Sequence, residues 1–190
     1  CWGLLGGETP DVTPEDMNAL FDFITTLKSR DQILAYHDRS DGGLLVALLE
    51  MAFAGRCGLN VDVLEEGAGA VAALFSEEIG VLLQVPRTET SAVLALAVEL
   101  GLGDCVRRVA ERRDDERVVV NTPRFELIDS QRGALQQMWS STSHALQRLR
   151  DNPDCADEEF AGIVADDPGL FASPTFALGE DIAAPYIGTG

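Results

Sequence analysis

The residues best suited to chemistry lie in one run, His37-Asp38-Arg39-Ser40-Asp41-Gly42-Gly43. Apolar Ile33-Leu34-Ala35-Tyr36 precedes it and Leu44-Leu45-Val46-Ala47-Leu48-Leu49 follows it. That order predicts a strand, a polar turn with a glycine pair, and a buried helix. At such a turn the first backbone N–H groups of the helix lack intrahelical partners, and the helix dipole favours negative charge there. Glycines let a phosphate approach those groups closely. Asp38, Asp41 and Ser40 add hard oxygen donors, the kind Mg²⁺ prefers. The chemistry on offer is capture of a magnesium-bound nucleotide. Asp38 would coordinate the metal directly or through water, and Ser40 would hydrogen-bond a phosphate or a metal-bound water. The plainer alternative is that Asp-Gly-Gly only closes a turn. His37 would either orient a carboxylate or sit partly buried as a satisfied histidine.

Other candidates carry less. Glu77 and Glu78 precede a strand and read as a solvated turn, with a second acidic patch as the alternative. His144 has no titratable partner at helical spacing and reads as a surface residue. Cys57 lies between Arg56 and Gly58, and Cys105 between Asp104 and Val106, so neither sits in the Gly-x-Cys-x-Gly elbow of a thiol nucleophile. The P-loop pattern is absent, and the one lysine is Lys28. The four cysteines, at positions 1, 57, 105 and 155, lack zinc-ligand spacing.

Composition bounds the partners. The chain has 190 residues and a formal charge of −18. Such a surface repels nucleic acid and anionic membrane, which excludes both as partners. It also repels free ATP, so a nucleotide needs Mg²⁺ and well-placed donors. No segment reaches membrane-spanning length. Cysteine usage without a secretory leader points to a reduced, cytoplasmic compartment. Cys1 opens the chain without an initiator Met, as in a piece cut from something longer or a processed terminus.

The elements that must position the run follow from periodicity. The stretch to about Val12 is irregular. Thr13-Pro14-Glu15-Asp16 is a helix start, and Met17, Leu20, Phe21, Ile24 and Leu27 form its apolar stripe. Ile33 to His37 is a strand, and Leu44 to about Ala54 a helix apolar almost all round. Leu59 to Val63 alternates as a strand, and Ala70 to Phe75 is a short helix or turn. Gly80 to Val85 is a continuous apolar strand. Thr88 caps a helix that Gly101 ends. Cys105–Ala110 and Arg117–Val120 read as a strand pair around Asp114-Asp115-Glu116, with Phe125–Ile128 as an edge strand. A last helix runs from about Gly133 to Arg150. Beyond it, an acid-rich and then Pro/Gly/Ala-rich tail reads as a linker or extended arm. The fold class is α/β (α+β): a small mixed sheet covered by helices, then a helix and an extended linker.

The stretch AYHDRSDGGLLVALLEMAFAGRCGLNVDV (35–63) resembles the second synthetase repeat of the phosphoribosylformylglycinamidine synthases, the large glutamine-dependent ligases of purine biosynthesis. LQRLRDNPDCADEE (146–159), DPGL (167–170) and FALGEDIAAPYIGTG (176–190) are similar to that family as well. The first block alone resembles the wider superfamily shared with aminoimidazole ribonucleotide synthetase. The resemblance implies an aminoimidazole ribonucleotide synthetase C-terminal-domain-like fold. Residues 1–130 would be a synthetase-type C-terminal subdomain, 131–150 a helix packed on it, and 151–190 a linker toward a glutaminase domain. It also implies the activity of the complete enzymes: ATP activates the amide of formylglycinamide ribonucleotide, and glutamine-derived ammonia gives the amidine. The family's second half holds an auxiliary pocket with Mg²⁺ and ATP or ADP. Its Asp-x-Ser falls on Asp38 as metal ligand and Ser40 as nucleotide contact. The remaining ligands, the glutaminase triad and most of the substrate pocket would come from other parts of the same polypeptide, so this part has no catalytic residue of its own. A stand-alone nucleotide-binding module, or a structural interaction module with no ligase role, is the alternative.

Mg²⁺ keeps several waters unless multiple carboxylates converge on it. One turn with one or two acids therefore holds it weakly. Calorimetric titration of the 190-residue chain with Mg-ADP is expected to show no saturable binding at sub-millimolar levels. Tight binding would mean that the whole pocket lies within this chain.

Overall fold

Thr13 starts the architecture as a capping residue should: its hydroxyl accepts the Asp16 N–H at 3.1 Å, with Pro14 next in line. The computed structural model describes residues 12–166 together with Ser173, Thr175, Gly179 and Ile187. Helix α1 spans Pro14–Ser29, strand β1 Ala35–Asp38, helix α2 Gly43–Gly55, strand β2 Gly58–Asp62, helix α3 Ala68–Phe75 and strand β3 Val81–Gln84. After a 3₁₀ turn at Arg87–Glu89 come helix α4 (Thr90–Glu99) and strands β4 (Ala110–Arg113), β5 (Arg117–Asn121) and β6 (Glu126–Gln131). Helices α5 (Arg132–Arg150) and α6 (Pro153–Gly162) complete the described chain.

The strands form two sheets. β1 pairs antiparallel with β3, Tyr36 opposite Leu83. The second sheet has the order β4-β2-β5-β6, with β2 and β5 parallel and the outer pairs antiparallel. The α/β class with small mixed sheets and covering helices is as expected. The expected hairpin of 105–110 with 117–120 is not what forms. Strand β4 lies further on, and β2 sits between β4 and β5. β2 has apolar Leu59 and Val61 to bury and takes the central place, where both its edges are paired. The short Asp114–Glu116 turn therefore passes over the start of β2. Gly58 permits this, because a Cβ there would lie 2.2 Å from the Arg117 carbonyl oxygen.

Two apolar clusters hold the elements. Leu44, Ala47, Leu48 and Ala52 of α2 meet Val61, Val118 and Val120 of the four-stranded sheet and Ala70 and Leu74 of α3. Phe23 and Leu27 of α1 meet Val93, Leu96 and Ala97 of α4 and Leu102. Helix α2 also touches α5, where Phe53 and Trp139 rings lie 5.8 Å apart, tilted to each other. That explains its apolar residues on every side.

The end of the described chain departs from the expected extended arm. Asn152 accepts the N–H groups of Asp154 and Cys155, Pro153 occupies the first turn, and the acid-rich stretch becomes helix α6. Its acids face α5: Asp157 meets His144 and Arg148, each at 2.8 Å, and Glu159 meets Gln147. His144 thus has a partner thirteen residues away and stacks on Phe160 with ring centroids 4.1 Å apart. Arg56 donates to the Ala165 carbonyl at 2.7 Å and the buried Arg132 to that of Ile163. The tail blocks at 167–170 and 176–190 lie outside the described residues, apart from the isolated positions above.

The start of α2 is pressed onto the end of α3. At Gly43, φ is +69°, and an added Cβ would lie 2.7 Å from the Phe75 backbone. Gly43→Ala is expected to cost about 3 kcal/mol, from backbone strain plus the clash. Gly101→Ala, at φ +79° in open space, should cost about 1 kcal/mol from strain alone. Urea unfolding of the two variants checks the gap. At the other end of the fold, Arg132 lies 2.8 Å from the Glu116 carboxylate and its own N–H donates to the Glu116 carbonyl. Glu116→Ala leaves that buried cation without its carboxylate and is expected to cost about 2 kcal/mol by the same measurement.

Candidate functional site

The strand alternation of β1 sends Tyr36 and Asp38 outward and keeps Ala35 and His37 partly covered. On the outward face the Tyr36 hydroxyl donates to Asp38 Oδ1 at 2.6 Å. That bond, more than burial or charge, holds the Tyr36 phenol above its ordinary pKa. Asp38 Oδ2 has no protein partner among the described residues. Ser40 and Asp41 are also exposed, and the Ser40 carbonyl accepts the Gly43 N–H at 2.8 Å.

His37 anchors the turn from behind. Its Nε2 lies 3.1 Å from the Glu50 carboxylate, one helix face away on α2, and its Nδ1 lies 2.6 Å from the Asp38 carbonyl oxygen. Both partners only accept, so the ring makes both hydrogen bonds together only when both nitrogens carry protons. The carboxylate it meets is Glu50, and its hold on Asp38 is through the backbone.

Arg39 ties the turn to α3. Its N–H donates to the Gly80 carbonyl at 2.9 Å, and its guanidinium donates to the Ala73 carbonyl at 3.2 Å and lies 3.6 Å from Glu78. Ala73 carries one of the last four carbonyls of α3, which have no partner within the helix, and a cation suits that negative end. The opposite pole is treated in the opposite way. Helix α2 begins at Gly42 with no side-chain cap of its own, and the Gly42 N–H donates to Glu77 Oε1 at 2.9 Å. Glu77 is therefore a partner of the turn rather than a free solvated acid. No local pattern announces it, because the contact joins residues thirty-five apart. Tyr36 was open to detection, since it lies two positions before Asp38 on one strand face.

The arrangement leaves Asp38 and Ser40 exposed in the turn that opens into α2 at its positive end. A cleft of about 1030 Å³ between β3 and the segment leading into β4 takes in Arg39 and Glu78, and a cavity of about 480 Å³ takes in Tyr36, His37, Glu50 and Cys57. Neither is lined by Asp38 or Ser40. Among the described residues, no three His, Cys, Asp or Glu side chains converge as a metal cage. The donor chemistry fits Mg²⁺, and Asp38 with Ser40 would hold one side of it. The number of donors does not suffice for the whole coordination sphere. Among the described residues, no helix is long and apolar enough to cross a membrane.

Comparison with known proteins places the chain in a family. The fold is similar to phosphoribosylformylglycinamidine synthase II from Thermotoga maritima, with a TM-score of 0.56 and 16% identity over 66% of this chain and 22% of that one. It is similar to T. maritima PurL complexed with ATP, at 0.55 and 17% over 65% and 22%, and to a chain of the HypE–HypF complex, at 0.50 and 20% over 67% and 45%. At these identities the likeness is one of fold, and this chain spans about a fifth of the length of the synthase structures. Residues 3–122 match the model of the C-terminal domain of AIR synthase related proteins. The chain belongs to that family, the AIR synthase related proteins, through their C-terminal domain.

Proposed function

We propose that this chain is part of a larger ATP-dependent carbon–nitrogen ligase, the glutamine-dependent phosphoribosylformylglycinamidine synthase of purine biosynthesis. In that reading it is the C-terminal subdomain of the second synthetase half, and residues 151–190 lead toward a glutaminase domain. It works in the cytoplasm. Its own contribution is one wall of an auxiliary Mg-nucleotide pocket. Asp38 contacts the metal, Ser40 contacts the phosphates, and the remaining synthetase segments supply the other ligands. The chain holds no catalytic residue and is inactive alone.

The observation that carries the reading is the exposure of both Asp38 and Ser40 in the turn that opens into α2. Hard oxygen donors stand there beside a positive helix terminus, the combination a metal-bound polyphosphate requires. The family match and the fold shared with T. maritima PurL complexed with ATP support it. An open face fits a wall that other segments complete, where a self-sufficient nucleotide sensor would enclose its donors.

The test uses the longer polypeptide. Asp38→Ala is expected to lower the nucleotide released on denaturation at least about fivefold, the scale of losing one metal ligand's contact. The melting temperature should fall with it, while glutamine hydrolysis is unchanged. Nucleotide content equal to the wild type would exclude this turn from the pocket.

A further inference from the structure

We propose that Glu77 is a built-in competitor for the phosphate position, so that ligand entry requires its carboxylate to leave the start of α2. This rests on the reading of the 38–43 turn as the phosphate side of a Mg-nucleotide pocket, and it adds a residue that regulates access. Three observations carry it. The Gly42 N–H, at the start of α2, is already bonded to Glu77 Oε1 at 2.9 Å. The helix has no cap from its own sequence, so this acceptor comes wholly from the loop between α3 and β3. That loop holds its two acids apart: Glu78 is drawn to Arg39 at 3.6 Å, which leaves Glu77 alone on the α2 side.

A carboxylate and a phosphate oxygen ask for the same donor and the same positive pole. They exclude each other by sterics and by like charge. The apparent affinity of the pocket is then its intrinsic affinity reduced by the fraction of molecules in which Glu77 has swung clear. Glu77 is a short-loop side chain on the exposed surface, so leaving costs it one hydrogen bond and no core packing. The device suits a chain of charge −18: Glu77 keeps the helix start satisfied, and a ligand must bring its own cation to compete.

The experiment follows amide signals of the ¹⁵N-labelled 190-residue chain by NMR during titration with Mg-ADP into the millimolar range. The comparison is wild type, Glu77→Gln and Glu78→Gln. The proposal expects the Gly42 amide to shift in Glu77→Gln before any ligand is added. It then expects Glu77→Gln to bind Mg-ADP about five- to tenfold more tightly than wild type, on the scale of one like charge removed at close range in a partly screened site. Glu78→Gln should stay close to wild type. Should Glu77→Gln fold poorly, Glu77→Asp keeps the charge, withdraws it by one methylene, and is expected to gain affinity in the same direction. Binding to wild type with equal or weaker binding to both Glu77 variants overturns the competitor and leaves the pocket standing. No response of the 38–43 amides in either Glu77 variant overturns the competitor, whereas the pocket reading itself falls only if Asp38→Ala in the longer polypeptide retains wild-type nucleotide.

Discussion

The structure turns on the contact between two helix ends. The positive start of α2 and the negative end of α3 meet across a glycine, Gly43, whose missing Cβ lets the backbones close to within packing distance. Opposite poles in contact are each still short of partners. The chain supplies them crosswise: the turn before α2 sends the Arg39 guanidinium to the α3 carbonyl of Ala73, and the loop after α3 sends the Glu77 carboxylate to the Gly42 N–H. Each charge has the sign its helix end favours. This exchange fixes the direction in which β1 ends, and thereby the face on which Asp38 and Ser40 stand.

Much of this was legible before any coordinates. The capping signal at Thr13 and Pro14, the apolar run of α2 and the polar turn between strand and helix follow from short-range rules, and each formed within a few residues of its expected place. The turn residues Asp38 and Ser40 are both exposed. What could not be read is the set of contacts that cross the chain. Glu77 and Gly42 share no period, and a glutamate before a strand looks like any solvated acid. The error at 105–120 has the same origin. Two short apolar stretches around an acidic turn satisfy the local definition of a hairpin. They do not reveal that a third strand, with Leu59 and Val61 to bury, claims the place between them.

The segment after Arg150 teaches a different lesson. Its composition resembles a linker, yet the dipeptide Asn152-Pro153 is a helix start as good as the one at Thr13. The acids of α6 need not repel one another into an extended arm, because α5 offers Arg148, His144 and Gln147 along the matching face. Composition alone counts charge, and only the partner helix shows where that charge is compensated. Arg132 carries this further. It joins the Glu116 turn, the start of α5 and the carbonyl that follows α6, so the four-stranded sheet and the terminal helix pair share one buried cation.

The balance of charge also bears on how such a chain meets an anion. Among the described residues, most arginines are taken up in ion pairs with neighbouring acids, as with Arg107 and Glu65, Arg113 and Asp115, or Arg117 and Asp129. These pairs pull their carboxyl groups below the ordinary range, chiefly through the arginine hydrogen bonds, and leave little free positive charge at the surface. A polyphosphate therefore finds attraction only from backbone dipoles and from the cation it carries. The start of α2 is such a dipole source, and the acids around it repel a bare anion while welcoming a metal. In the proposed reading, the same excess of carboxylates would favour a metal-bound ligand over a free one. The turn needs no lysine or arginine aimed at the phosphate, and its one arginine is committed to the end of α3.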